Sequence, residues 1–78
     1  MIDEKKTMVL LGNRVAHLRR ARGQTIVQMS HSTELDYGFL RRLEKGQVLP
    51  SVRYLIRICN YFDVSLSELF DFDGTLQT

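Results

Sequence analysis

The chain has 78 residues, and a domain of that size buries only about 60 to 65% of the surface its unfolded form exposes. That allows one small core and no second folded module. Apolar residues are 44% of the chain and charged residues 26%, the balance of an ordinary globular domain, which excludes a disordered tail or a low-complexity polymer. A single cysteine excludes an internal disulfide, and two histidines with it are too few to close a four-ligand zinc site without a cluster of carboxylates. The longest near-apolar run, Met8 to Leu11, follows acidic Asp3 and Glu4 and is too short for a membrane span or a signal-peptide core. A cytoplasmic protein with no metal, cofactor, membrane or small-molecule partner is the expectation.

The net charge of +2 is modest, but it is unevenly placed. Residues 11 to 23 carry Arg14, Arg19, Arg20 and Arg22 and no acid, whereas residues 61 to 78 carry Asp63, Glu68, Asp71 and Asp73 and no base. A domain so polarised can offer a basic face to a polyanion, or its arginines can simply solvate helix faces.

One proline, five glycines and no sustained β-branched alternation predict an all-α chain. Met8, Leu11, Val15 and Leu18 share one face of a first helix, which Gly23 should end; residues 1–10 are an arm that runs into its start. Thr25 followed by Gln28 is a capping-box spacing that opens a short second helix, with Ile26 or Val27 and Met29 inward, ending near Thr33. Asp36 is the N-cap of a third, with Phe39, Leu40 and Leu43 buried, Leu35 packed ahead of it and Gly46 closing it. After a loop around Gln47 to Pro50, Ser51 caps a fourth helix with the stripe Leu55, Ile58, Cys59 and Phe62, where Cys59 is a small core residue. Ser65 and Glu68 repeat the capping-box spacing for a short fifth helix carrying Leu66, Leu69 and Phe70, and residues 71–78 form a tail.

Two short capped helices joined by a tight turn make a helix-turn-helix, here over about residues 25–44. A major groove about 12 Å wide accepts one α-helix. With Phe39, Leu40 and Leu43 buried, the third helix turns Tyr37, Gly38, Arg41, Arg42 and Lys45 outward, a face without an acid.

Over residues 11–70 the chain resembles the helix-turn-helix domain of the Cro, phage-repressor and XRE-like family. The matching pieces are Leu-Gly-Asn-Arg-Val at 11–15, Leu-Arg-Arg-Ala-Arg-Gly at 18–23, Leu-Arg-Arg-Leu-Glu-Lys-Gly at 40–46, Pro-Ser at 50–51 and Val-Ser-Leu-Ser-Glu-Leu-Phe at 64–70. The resemblance implies a five-helix, lambda-repressor-like fold and a sequence-specific regulator that binds double-stranded DNA as a homodimer on two half-sites. Base reading falls to Tyr37, Gly38 and Arg42, with Arg42 suited to a bidentate grip on guanine. Tyr37 is open to a phosphate, a thymine methyl or solvent. Phosphate contact falls to Arg41, Lys45, Ser51, Arg53 and Gln28. Arg19 and Glu44 match a structural salt bridge between the first helix and the end of the recognition helix. Arg14, Arg20 and Arg22 either steer DNA or solvate the first helix.

Three positions depart from the family pattern: Ile26 replaces a backbone-touching glutamine, Glu34 replaces the turn glycine, and Gly38 lies inside the recognition helix. Small stand-alone members suggest an autoregulating controller or repressor, with a dimer surface from Leu69, Phe70, Phe72, Leu76 and Tyr61, and Val48 and Leu49 exposed nearby. The alternative is an interaction module that pairs with a related repressor or a toxin without reading DNA, to which Ile26, Val27, Val48 and Leu49 lend apolar surface. An enzyme is disfavoured, because His17, His31 and Cys59 have no partners at catalytic spacing and Ser30-His31-Ser32 reads as a polar surface stretch.

Overall fold

Short polar side chains set where the helices begin. Asp3, Thr25, Asp36, Ser51 and Ser65 each accept a hydrogen bond from the backbone N–H three residues on, at 2.9 to 3.2 Å. Such a cap satisfies one of the orphan donors of a first turn and contributes about 1 kcal/mol. At Thr25 and Ser65 the box is closed, since Gln28 Oε1 and Glu68 Oε1 accept in return from the cap N–H groups at 2.8 and 2.9 Å. The computed structural model describes residues 1–72, and the helices among them are α1 (Glu4–Ala21), α2 (Ile26–Thr33), α3 (Tyr37–Glu44), α4 (Val52–Phe62) and α5 (Leu66–Leu69). Four of the five caps are legible in the sequence. Asp3 is the exception: it starts α1 at Glu4, so what was read largely as an arm is helix.

The core is filled from one face of each helix. Leu11 and Val15 of α1, Met29 of α2, Leu40 and Leu43 of α3, Ile58 and Phe62 of α4 and Leu69 of α5 are all at most 2% exposed. Leu35 seals the turn between α2 and α3, and Cys59 lies among these side chains, its thiol pushed above its ordinary pKa by burial and then by nearby Glu68. Of the two candidates at the start of α2, Ile26 is half-buried and Val27 is exposed. Of the three apolar residues assigned to α5, only Leu69 is directed into the core by its single turn, and Leu66 and Phe70 are exposed.

The tail also differs from expectation. Phe72 folds back into the core, with its ring 5.7 Å from that of Phe70. Leu69 and Phe72 are therefore interior residues of the single chain rather than free members of a dimer surface, and Leu76 lies outside the described residues. Tyr61 is half-buried and donates to Gln24 Oε1 at 3.2 Å, which ties α4 to the α1–α2 connection.

Two of the four arginines in the basic segment serve neither of the roles foreseen for them. Arg14 donates to the Glu68 carbonyl at 2.9 Å, and Arg22 donates to the carbonyls of Tyr61 and Phe62, its guanidinium 5.7 Å from the Phe62 ring centre. Both place a cation at the carboxyl end of a helix, where the last carbonyls lack intrahelical partners. They fasten α1 to α5 and α4.

The α2–α3 turn runs through Glu34 at φ +60°, ψ +27°, a left-handed conformation that costs a non-glycine residue roughly 1 to 2 kcal/mol. Hydroxyls hold it there. Ser30 Oγ donates to the Leu35 carbonyl at 2.6 Å, Thr33 Oγ1 donates to the Met29 carbonyl at 2.7 Å, and Thr33 Oγ1 accepts from the Leu35 N–H at 3.2 Å. Ser30 is thus a half-buried part of the turn rather than a member of an exposed polar stretch. Asp63, which ends α4 at φ +55°, carries a similar cost that nothing in the sequence reading foresaw. Glu34→Gly should raise stability by about 0.5 to 1 kcal/mol, after the larger unfolded-state entropy of glycine is subtracted. In a domain this small that is a melting-temperature gain of several degrees by circular dichroism; an unchanged or lower value would show that the Glu34 side chain offsets its own backbone strain.

Candidate nucleic-acid interface

The site begins with the seating of α3. Leu40 and Leu43 are fully buried and Phe39 is half-buried, edge-on to Tyr54 of α4 at 5.1 Å between ring centres. With one face so fixed, the helical period directs Tyr37, Arg41, Arg42 and Lys45 outward, and all four are exposed. The Arg41 guanidinium lies 6.0 Å from the Tyr37 ring centre, a cation–π pair one turn apart that orients both side chains. Gly38 is half-buried in ordinary helical backbone; a Cβ there would come within 3.2 Å of Arg42 Nη1 and 3.0 Å of Asp36 Oδ2. The missing side chain is thus a slot along which Arg42 lies back toward the start of α3. Gly38, Arg41, Arg42, Lys45 and Gln47 together line a shallow hollow of about 180 Å³.

Two contacts set the height and tilt of this helix. At Gly12 the backbone of α1 meets that of α3: a Cβ there would overlap the Leu43 carbonyl oxygen and stand 2.9 Å from the Glu44 carbonyl oxygen. Nothing in the composition marks Gly12 as special, and its role went unread. One turn and more along the same pair, Arg19 and Glu44 form the expected salt bridge, with Nε to Oε2 at 2.8 Å and Nη2 to Oε1 at 3.0 Å; Nη1 donates to the Gln24 carbonyl at 2.8 Å. The side chains are 11% and 7% exposed. The Glu44 hydrogen bond holds the Arg19 pKa above its ordinary value against the opposing pull of burial. Gly46, at φ +72°, lets the chain leave α3 against Val9, whose Cα stands 2.9 Å from where a Cβ would be.

The N-terminus of α4 comes alongside. Ser51, Arg53 and Tyr54 line a hollow of about 560 Å³ together with Phe39 and Leu49, which puts Ser51 and the exposed Arg53 beside the first turn of α3. The Ser51 hydroxyl oxygen accepts from Tyr54 N–H, leaving its proton to donate outward. Gln28, in contrast, spends its amide oxygen on the Thr25 cap, so only its NH₂ group is left for an external partner. His17 and His31 are exposed, and among the described residues no three of His, Cys, Asp and Glu gather where a metal ion would fit. No described helix is long and apolar enough to cross a membrane.

Taken together, the hydroxyl-braced turn, the buried stripe of α3 and its outward basic face define a helix-turn-helix module of the class that places its second helix against nucleic acid. Residues 10–71 match the family model described as a helix-turn-helix domain, and the chain belongs to that family, within the XRE-like group. Among solved structures, a restriction-modification controller protein from Aeromonas hydrophila, C.AhdI, superposes with a TM-score of 0.81 at 25% identity, over 87% of this chain and 99% of that one. A transcriptional regulator of the HTH_3 family from Vibrio cholerae gives a TM-score of 0.84 at 23% identity over 95% of this chain, which spans only 42% of that protein. The clp gene regulator ClgR from Corynebacterium glutamicum gives 0.82 at 21% identity, over 91% of this chain and 77% of that one. No curated protein matches the sequence significantly. The family and the fold support DNA binding by this domain.

The clamp between α1 and α3 is open to a direct test. Glu44→Ala strands a largely buried guanidinium and should cost on the order of 3 kcal/mol in chemical denaturation. Arg19→Met combined with Glu44→Leu should recover most of that loss. If the single variant cost under about 1 kcal/mol, the pair would be no more than a surface ion pair.

Proposed function

We propose that the protein is a sequence-specific transcriptional regulator that acts as a homodimer on a two-half-site operator, as an autoregulating controller or repressor. The observation that carries this reading is the outward face of α3, where Tyr37, Gly38, Arg41, Arg42 and Lys45 stand on a rigid helix with no competing free carboxylate. Asp36 is committed to the cap and Glu44 to Arg19. Arg42, lying over Gly38, is the base reader, with Tyr37 and Gly38 letting the start of the helix approach the groove. Arg41, Lys45, Ser51, Arg53 and the Gln28 NH₂ group hold phosphates. The controller protein C.AhdI, matched over 99% of its length, favours the controller role.

One recognition helix covers only a few base pairs, so a specific site requires two copies about one helical turn apart. With Leu69 and Phe72 committed to the core, the apolar surface for pairing is supplied by Leu66 and Phe70, one turn apart at the ends of α5 and 44% and 39% exposed. Tyr61, also assigned to that surface, is half-buried and bonded to Gln24.

A duplex selected from a random pool by this protein supplies the probe. Arg42→Ala should lose about 1 to 3 kcal/mol on the selected duplex and little on random DNA. Lys45→Ala should weaken both and lower the slope of log K against log salt by about one. Equal effects of the two variants on all sequences would remove the division into reader and positioner. No binding to any duplex at low salt would overturn DNA recognition and favour a pairing module, for which the exposed Val27 and Leu49 provide apolar surface.

A further variant addresses the dimer. Leu66→Lys combined with Phe70→Ser should sediment as a monomer and bind the two half-sites without cooperativity, at an unchanged circular-dichroism spectrum. A variant that stayed dimeric would place the interface elsewhere.

A further inference from the structure

The first helix is joined to both elements on which the proposed function depends. Its Gly12 and Arg19 are fitted to the end of α3, and Arg14, between them in sequence, reaches the other way to α5. At about 100° per residue, Arg14 leaves α1 roughly 200° around from Gly12 and roughly 140° from Arg19. The reading helix and the helix assigned to pairing therefore lie on different sides of one rod.

α5 holds its own orientation poorly. It has only 4 residues, far short of what an isolated helix needs to persist in water. The box between Ser65 and Glu68 closes within that turn and ties it to nothing outside. Leu69 and Phe72 set how deep the turn sits, but apolar burial is non-directional and constrains its rotation weakly. Arg14 supplies the direction. Its Nη2 donates to the Glu68 carbonyl at 2.9 Å, the same oxygen that accepts from the Asp71 N–H at 3.2 Å, so the bond falls between Leu66 and Phe70 in the chain. Arg14 Nε is buried, with no partner among the described residues, which encloses the base of the guanidinium and limits its swing.

We propose that Arg14 is a positioning residue for operator spacing: by tying α5 to the rod that carries α3, it fixes the angle between Leu66 and Phe70 and the reading face of the same chain. The inference rests on the pairing and DNA-reading roles proposed above. In a twofold dimer one surface meets its own copy, so the two reading helices stand apart by twice the offset that each chain sets between pairing and reading faces. Half-site spacing is then a property of the protomer. Slack at α5 is doubled at the DNA, while each reading helix by itself is unaltered. Arg14 thus selects among operators through α5 rather than through a contact of its own with DNA.

The test uses duplexes that carry two copies of the selected half-site, their separation stepped one base pair at a time around one helical turn, and a duplex with a single half-site. The unaltered protein should bind one separation about tenfold more tightly than its neighbours. Arg14→Met should keep the affinity for the single half-site and sediment as a dimer, but its preference among separations should shrink to about threefold or less. Where circular dichroism shows that Arg14→Met does not fold, Arg14→Gln, which keeps a polar group but not the reach to the Glu68 carbonyl, is held to the same outcomes. A variant that keeps the full preference, weakens every duplex by one factor or becomes a monomer would overturn the spacing role and leave Arg14 a structural residue, although DNA recognition stands. If the unaltered protein shows no preference among separations, or if Leu66→Lys with Phe70→Ser stays dimeric, the pairing reading fails and the role of Arg14 falls with it.

Discussion

The contact between α1 and α3 is the constraint on which the rest of the structure depends. At Gly12 two helix backbones approach more closely than any side chain allows, and at Arg19 and Glu44 a two-point ion pair fixes the rotation of one helix about the other. A packed contact alone would set separation but permit sliding; a salt bridge alone would tolerate a change of separation. The combination leaves α3 one position. Its buried stripe then determines which side chains face outward, and the basic character of that outer face follows from that choice rather than from any property of the arginines themselves.

The remaining elements brace this pair. α2 is held beneath α3 by Met29 and by the hydroxyls of Ser30 and Thr33, which keep the turn in a conformation that Glu34 would not adopt by itself. α4 and α5 are closed by arginines reaching across from α1, so the long first helix contacts the ends of both. That division explains the uneven charge of the sequence. Of the four arginines in residues 11 to 23, one clamps the recognition helix, two close other helices, and only Arg20 is left facing outward beside α3. The acids of the last segment, by contrast, end α4 at Asp63 and complete the box of α5 at Glu68.

Much of this was legible in the sequence, because caps and helical periods are local. Thr25, Asp36, Ser51 and Ser65 announce their helices by a polar residue followed by an apolar stripe, and the outward face of α3 follows once Leu40 and Leu43 are assigned inward. The strain at Glu34 was also readable, as a glycine position filled by another residue. What escaped was whatever depends on distant parts of the chain meeting. Gly12 looks like any helix-weakening glycine until the carbonyls of Leu43 and Glu44 lie against it. Phe72 looks like a tail aromatic because its burial depends on the assembled core and not on its neighbours in sequence. Arg14 and Arg22 look like surface charge because the carbonyls they bind, at Glu68, Tyr61 and Phe62, are about 40 to 54 positions away.

The burial of Phe72 bears on assembly as well as on the core. An aromatic ring taken into the single chain is not available to a second copy, and Leu69 is excluded for the same reason. The proposed dimer therefore draws on the residues that α5, being a single turn, cannot turn inward. Leu66 and Phe70 are spaced four apart and so share one side of that turn, where their exposure is a cost to an isolated monomer in water. Pairing removes the cost without disturbing the core. The fold thus separates two tasks that a small domain might be expected to merge: the interior is complete among the described residues of one chain, and the proposed pairing would draw on a surface the interior does not need.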